Sequence, residues 1–426
     1  MDQNLNRAYL ISVREKSTPF AEAERDLDEL AFLVQAVDIQ VVGQTAQRVA
    51  RFHPKYMLGP GTAESLKGRL AALDAGLLIV DAELTPAQER NLEKATGVKV
   101  YTRTDVILEI FGRRAATREG KLQVELAQLQ YVLPRMVGMW THFGRSMGHV
   151  GGRGGVGETQ LELDRRRARQ RITQLKRQLK DVQRVRGEAR KQRTRREIPT
   201  FSLVGYTNAG KSSLLNRLTE AGAFEADQLF ATLDPLTERL TLPNRQTVLV
   251  SDTVGFIRHL PHNLVEAFKA TLEEVVEADV LLHVVDASDE EMEVKIETVH
   301  DVLKQLGADE KPNILVLNKI DRTGGPLDYP WLADEALEVV SVSAHTGAGI
   351  PDLLAAMERA IAGRLRRVQL HIPYHEGKIL ADVLAQGDVY ARRDLDDGVE
   401  LDVALNQILA GRYRNFVSEG TSGPPT

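Results

Sequence analysis

The stretch that most constrains this chain is Gly205-Tyr206-Thr207-Asn208-Ala209-Gly210-Lys211-Ser212. It joins an apolar run, Thr200–Val204, to an amphipathic one at 213–219. Gly-x4-Gly-Lys-Ser between a buried strand and a helix is a phosphate-binding loop, and it requires an α/β fold around it. The glycines let backbone N–H groups turn inward on a polyphosphate at a helix N-terminus, where the peptide dipoles also favour negative charge. Lys211 is expected to neutralise β- and γ-phosphate charge and the Ser212 hydroxyl to ligate Mg²⁺. Ser213, the next residue, completes the predicted loop. An ordinary Gly-rich turn is the competing reading, and the strand-then-helix context disfavours it.

Three further motifs follow at spacings that reinforce the first. The apolar run 248–250 ends in Asp252-Thr253-Val254-Gly255, an Asp-x-x-Gly pattern. Asp252 would hold Mg²⁺ through water, and the Gly255 N–H would meet the γ-phosphate. The run 314–317 delivers Asn318-Lys319-Ile320-Asp321. A carboxylate at Asp321 can accept hydrogen bonds from guanine N1–H and N2–H₂; adenine lacks that donor pair and would leave the carboxylate unpaired. Asn318 would brace loop and base, and the Lys319 stem would cover one base face. Ser343-Ala344, after a strand at 337–340, would supply backbone contacts to guanine O6. Together these predict a GTP site with Mg²⁺, in which Lys211, Thr232 and Gly255 carry the hydrolytic chemistry. Thr232, in Phe230-Ala231-Thr232-Leu233-Asp234-Pro235, is the expected remaining metal ligand, with Thr237 the second choice and a capping threonine the structural alternative. GTP would order this segment through Thr232 and hydrolysis would free it. Phe256 stands where Ras-like proteins place the glutamine that orients the attacking water. Slow intrinsic hydrolysis, stimulated by a partner, is therefore expected, although Phe256 is equally readable as core filling. His259 and His262 read as surface or capping residues.

The 426 residues allow two to four domains, and the absence of cysteine excludes disulfides and thiolate metal sites. The start carries no basic-then-apolar signal, and no run approaches the roughly 18 apolar residues of a membrane span. A cytoplasmic protein, expected to be a monomer, is the reading. Residues 1–115 alternate apolar runs (8–13, 39–42, 77–81, 98–101) with amphipathic stretches (21–37, 63–73, 86–96, 104–115), the pattern of a helix-covered parallel sheet. In 116–197, Leu122, Leu126, Leu129, Leu133, Met136 and Trp140 form one helical seam, and Ala168, Ile172, Leu175, Leu179 and Val182 another. The Gly-rich run 148–157 between them cannot be helical, so an antiparallel hairpin with a glycine tip is expected, kinked at Pro134. From 164 to 196, 15 Lys/Arg face three acidic residues, a net of +12, leaving −17 on the remainder of a chain of net −5. One basic arm on an acidic body suggests a polyanionic partner; a solvated coiled-coil face is the plainer alternative. The α/β nucleotide domain is placed at 198–363, a small βαββα unit at 364–417, and a disordered tail at 418–426.

These residues resemble the HflX family of translation-associated GTPases over nearly the whole chain. The likeness rests on His53-Pro54-Lys55-Tyr56 with Gly59 and Gly61, on Leu84-Thr85-Pro86-Ala87-Gln88-Glu89-Arg90-Asn91-Leu92, and on the stretch from Glu119 to Leu129. It continues through Gly157-Glu158-Thr159-Gln160-Leu161-Glu162, the Phe230–Pro235 run and the run from Asp252 to Pro261. The resemblance implies a factor that binds the large ribosomal subunit, is stimulated by it, and splits stalled or idle ribosomes under stress. It also implies that the arm, 145–196, reaches rRNA with its glycine tip toward the peptidyl-transferase region. An RNA- or protein-binding switch acting away from the ribosome is the rival reading. The chain departs from the family pattern at Val156, where proline is common, at Thr62, where lysine is frequent, and at Pro134. Some members are reported to use ATP as well, but one phosphate loop is visible here.

Overall fold

The computed structural model describes residues 4–137, 156–196, 198–219, 230, 234–259, 261, 264, 272–324, 329, 332, 336–362 and 365–418. Two compact units interleave along the chain. The first comprises Met1–Arg184, Glu225–Asp234 and Val254–Leu272; the second, Val185–Phe224, Pro235–Thr253 and Glu273–Thr426. Two short stretches bordering the predicted metal ligands thus belong with the N-terminal half.

In the first unit, strands β1 (Arg7–Glu15), β2 (Gln40–Val49), β3 (Leu77–Asp81) and β4 (Lys99–Thr102) alternate with helices α1 (Phe20–Gln35), α2 (Pro60–Ala72), α3 (Pro86–Thr96) and α4 (Arg103–Arg114). The sheet order is β2-β1-β3-β4, every pair parallel. β3 is buried along its whole length, which is why it reads as an unbroken apolar run. β2 extends well past the apolar run 39–42. Its continuation, Gly43-Gln44-Thr45-Ala46-Gln47-Arg48, is polar because this is an edge strand, half-exposed along its length, yet it pairs with β1 as far as Val49. The helices begin on chemistry visible in the sequence: Thr85 and Thr102 each form a reciprocal capping box, with Gln88 and Asp105. A buried ionic chain then ties the layers. Arg14 of β1 donates to Asp26 of α1 (2.8 Å) and Asp81 of β3 (2.7 Å), and Arg103 of α4 donates to Asp81 (2.9 Å) and Glu29 (2.7 Å). Burial alone would raise the Asp26 pKa, but hydrogen bonds from His259 and Arg14 and their charge hold it down at about 2.

Helix α5 (Arg118–Val132) passes at Leu133–Val137 into a 3₁₀ turn, so Pro134 ends the α-helix instead of kinking it. Helix α6 (Val156–Arg196) runs 41 residues. Leu126 of α5 packs on Leu175 and Leu179 of α6, flanked by Leu122, Leu129 and Ile172, which are part of the two seams the spacing predicts. Arg171 grips Glu125 through both carboxylate oxygens (2.6 and 2.7 Å) beside this seam. Trp140 and residues 148–155 of the glycine run lie outside the described residues, whereas Val156 and Gly157, expected in the non-helical loop, already belong to the first turn of α6.

The second unit holds strands β5 (Thr200–Val204), β6 (Leu236–Thr241), β7 (Thr247–Asp252), β8 (Val280–Asp286), β9 (Asn313–Asn318) and β10 (Glu338–Ser341). Its helices are α7 (Lys211–Thr219), α8 (Glu273–Glu277), α9 (Met292–Leu306) and α10 (Ile350–Ala362). The six strands lie in the order β10-β9-β8-β5-β7-β6, with β6 alone antiparallel. The chain then forms β11 (Leu365–Pro373), α11 (Gly377–Gln386), β12 (Asp388–Asp394), β13 (Gly398–Asn406) and α12 (Gln407–Arg412), the expected βαββα order. These three strands make an antiparallel sheet, β11-β13-β12, around Leu370, Ile372, Val399, Leu401 and Val403. No helix of the described residues is long and apolar enough to cross a membrane.

One carboxyl in the first unit is held against its ordinary ionisation. Burial first, then the charge of Asp105, push Glu89 of α3 up to about 7, only partly offset by Arg135 at 3.5 Å. Between about pH 4.5 and 7 the folded chain thus keeps a proton that the unfolded chain releases, so this group makes stability fall as pH rises through that window. Glu89→Gln is expected to leave stability unchanged at pH 4.5 and to raise it by on the order of 1–3 kcal/mol at pH 8. Urea unfolding of both proteins at the two pH values checks this; equal stability at pH 8 refutes it.

Candidate nucleotide site

The site forms where the central strands of the second unit's sheet end at their carboxyl edge, the place α/β sheets reserve for ligands. β5 runs into the phosphate loop at Gly205, whose φ is +149°. A Cβ there would lie 2.2 Å from the Val284 carbonyl oxygen of neighbouring β8, so only glycine lets the loop leave the strand. Gly210 (φ +92°) is equally obligate, because a Cβ would meet Asn318 Nδ2 at 2.3 Å. Asn208 takes a left-handed conformation (φ +63°) between them. The Thr207 Oγ1 atom is buried with no hydrogen-bond partner among the described residues. Such an orphan is the kind a bound polar ligand satisfies.

Lys211, 7% exposed, opens α7. Its Nζ donates to the carbonyl oxygens of Tyr206 (2.8 Å) and Gly205 (3.2 Å). Burial pushes this amine down to about 8, with Asp252 opposing and Lys319 adding to the shift. A polyanion beside it would push the value back up. Ser212 Oγ donates to Asp252 Oδ2 at 2.6 Å, bringing two hard oxygen donors together at the ends of α7 and β7. That pair fits Mg²⁺, which takes few protein oxygens and keeps waters and phosphate as its other ligands. Thr253 Oγ1 donates to the Leu203 carbonyl (2.6 Å) and so fixes the end of β7 against β5. Beneath the loop lies His283, a buried residue of β8 whose pKa burial drives down to about 3, with His300 and Lys211 adding repulsion; it is a neutral core side chain.

The residues predicted to read the base are assembled around Asn318. Its Nδ2 donates to the Ala209 carbonyl of the phosphate loop (2.9 Å), and its Oδ1 accepts from the Ala344 N–H (3.0 Å). One buried side chain therefore links three loops, at 205–212, 318–321 and 343–346. The Ala344 amide is engaged in that brace, so a guanine O6 would have to share it. Ser343 Oγ donates to Asp321 Oδ1 (2.5 Å), and this bond holds the Asp321 carboxyl below its ordinary range, ionised and oriented at an exposed edge. Lys319, at φ +65°, donates to the Asn208 carbonyl (2.7 Å) and to Asp286 Oδ2 (2.7 Å). Asp286 escapes sequence reasoning, although its place at the carboxyl end of a buried strand, β8, was the available signal. Arg217 of α7 adds a second brace by donating from Nε to the Ala344 carbonyl (2.9 Å).

The structure brings Gly205 to Ser213, Asp252, Thr253, Asn318, Lys319, Asp321, Ser343 and Ala344 into one unit. Val254 and Gly255 begin the stretch that belongs with the first unit, as does the segment ending at Asp234. Thr232 and His262 lie outside the described residues. Thr237, the second choice for the metal, sits in β6 paired with Ser251. Phe256 is 1% exposed, a core side chain that offers nothing to an attacking water.

A doubly covered sheet with this loop at its central strand defines the class: a P-loop GTPase. Residues 200–319 match the family model described as 50S ribosome-binding GTPase. Residues 24–112 and 114–193 match those described as GTP-binding GTPase N-terminal and GTP-binding GTPase Middle Region, and 332–413 match the HflX C-terminal domain. The GTPase HflX of Magnetococcus marinus is 44% identical over 97% of this chain and 95% of its own length. The GTPase HflX of Escherichia coli is 46% identical over 83% of each. A solved GTP-binding protein from Sulfolobus solfataricus, in complex with GDP, is 24% identical at a TM-score of 0.43, covering 84% of this chain and 99% of that one. The chain belongs to the HflX family of GTPases.

Because Asn318 is buried and makes both of its bonds inside the protein, Asn318→Ala leaves the Ala209 carbonyl and the Ala344 amide without partners. The expected cost is roughly 2–4 kcal/mol in stability of the second unit, with guanine-nucleotide binding lost as well. Chemical denaturation and nucleotide titration read the two effects.

Proposed function

We propose that this GTPase works on the large ribosomal subunit, using GTP to split or rescue stalled or idle ribosomes under stress. The observation that carries the reading is the union, in one chain, of a guanine-nucleotide site with a helical hairpin whose second helix holds a +12 stretch. Dense Lys/Arg along one long helix suits rRNA phosphates and implies steep salt sensitivity. The relatives' names and the description of the matching GTPase model point the same way. The arm at 145–196 would be the rRNA-binding element, with the protein acting in the cytoplasm as a monomer.

In this reading the backbone amides of Gly205 to Ser213 cradle the phosphates and Lys211 leaves its two loop carbonyls for the β- and γ-phosphate oxygens. Ser212, Asp252 through water, and Thr232 would hold Mg²⁺, which supplies neutralisation of developing phosphate charge when bound. Gly255 would give its N–H to the γ-phosphate, and Val254 would set the approach of that turn. Asp321 would read guanine N1–H and N2–H₂, with Lys319 along the base face. With Phe256 in the core, no side chain at that position orients the attacking water. Intrinsic hydrolysis should therefore be slow, and the ribosome should supply or order the missing group.

GTP turnover measured with and without purified large subunits tests the reading. Stimulation that disappears on removing residues 145–156, with intrinsic hydrolysis intact, is the expected result. Turnover indifferent to large subunits at low salt would place the switch elsewhere. Asp321→Asn should transfer preference from GTP to xanthosine triphosphate by about a hundredfold or more, read by competition binding; unchanged selectivity removes Asp321 from the base.

A further inference from the structure

Arg217 lies in the last turn of α7, the helix that Lys211 opens. A cation in that position ordinarily meets the carbonyls at the end of its own helix. Its guanidinium instead crosses to the loop after β10 and takes two successive carbonyls there. Nε donates to the Ala344 oxygen (2.9 Å) and Nη2 to the His345 oxygen. A trans peptide points its N–H opposite to its C=O, so each of these bonds also aims an amide. The His345 N–H, turned away from the guanidinium, has no partner among the described residues. The Thr346 N–H donates to Ser343 Oγ (3.0 Å), the hydroxyl that donates in turn to Asp321 Oδ1 (2.5 Å). The Gly347 N–H closes the turn on the Ser343 carbonyl at 2.8 Å, with Gly347 at a left-handed φ of +88°. The preceding amide, Ala344 N–H, is committed to Asn318 Oδ1.

We infer that Arg217 is a positioning residue for the guanine base, and that the amide it aims, the His345 N–H, is the donor to guanine O6. The inference rests on the reading of the loops at 318–321 and 343–346 as the base reader, and every residue it uses lies in the second unit. His345 and Thr346 are exposed, so hydrogen bonds, not packing, set the orientation of these two peptides. A guanidinium suits the task because its planar fork holds two acceptors at a fixed angle, which a lysine ammonium does not. Its donation to the His345 carbonyl also polarises that peptide, so the Thr346 N–H binds Ser343 more strongly and the turn is fixed at both ends. Adenine carries an amino group where guanine has O6. An N–H aimed at that position meets a donor instead of an acceptor, so the device discriminates between bases as well as adding affinity.

The test measures the affinities of the full chain for GDP and for 6-thio-GDP in the presence of Mg²⁺. The thio analogue keeps N1–H and N2–H₂ but offers sulfur, a weak acceptor, in place of O6. The parent is expected to favour GDP by roughly tenfold. Arg217 is exposed, so Arg217→Met keeps an apolar stem and removes the donors without opening the core. That variant is expected to bring the two affinities within about twofold of each other, chiefly by weakening GDP. Arg217→Lys, whose ammonium reaches a single carbonyl, should give a ratio between those of the parent and Arg217→Met. If urea unfolding shows Arg217→Met to be unfolded, Arg217→Lys carries the test. A brace that merely steadies α7 would weaken both nucleotides equally; a parental ratio in these variants therefore overturns the inference, as does a parent indifferent to the sulfur. Asp321→Asn separates the inference from its foundation. If that variant still prefers GDP to xanthosine diphosphate as the parent does, the base-reading assignment falls and takes Arg217 with it. If the preference switches while Arg217→Met keeps the parental GDP to 6-thio-GDP ratio, only the role of Arg217 falls.

Discussion

The nucleotide site depends on the side-chain amide of Asn318. Three loops from three different strands must meet at one edge of a sheet, and loops of that kind have few apolar atoms with which to hold each other. A buried amide solves this because it donates and accepts in opposite directions: to the Ala209 carbonyl on one side and from the Ala344 N–H on the other. The glycine at 210 is the counterpart of that brace, since any side chain there would occupy the space of the Asn318 amide. Arg217 and the Lys319–Asp286 pair tighten the same cluster from outside. The loops at 205–212, 318–321 and 343–346 are consequently tied together by side-chain hydrogen bonds.

The residues Phe230 and Asp234, and the stretch after Gly255, are organised by different physics. Phe230 and Asp234 are fixed by an aromatic contact and a helix N-terminus of the first unit. The stretch after Gly255 reaches the same unit, where His259 Nε2 approaches the buried Asp26 at 3.4 Å and Arg258 lies 4.0 Å from its other oxygen. His259 also has a left-handed φ, +51°. Asp26 is in turn a member of the ionic chain through Arg14, Asp81, Arg103 and Glu29 that joins the layers of the N-terminal sheet. The segments expected to sense the γ-phosphate therefore answer to the N-terminal half of the chain.

Several features were readable without coordinates because each obeys a local rule. The phosphate loop is identified by glycines whose φ values and neighbours admit nothing else, the buried strands by unbroken apolar runs, and the hairpin by two seams at helical spacing. Others were hidden because their cause is distant. The polar half of β2 is a strand only because β1 lies beside it. Pro134 stops a helix where a kink was expected. Asp286 matters through a lysine 33 positions away. His259 is exposed, as read, and its pairing with the buried Asp26 was what stayed hidden.

What the sequence determined by itself is the chemistry available: a loop that can wrap phosphates, a carboxylate for a base, a cationic helix, and the order of strands and helices that carries them. Those follow from backbone conformation, periodicity and charge, which are properties of neighbouring residues. What only the tertiary structure decided is which segments share a body. The stretches 225–234 and 254–272 lie inside the nucleotide domain by order but belong to the N-terminal unit by packing, because Asp234 finds free amides at the start of α5 and Phe230 finds Phe111. Contacts between residues more than a hundred positions apart depend on where folded elements come to rest, and no local pattern encodes that.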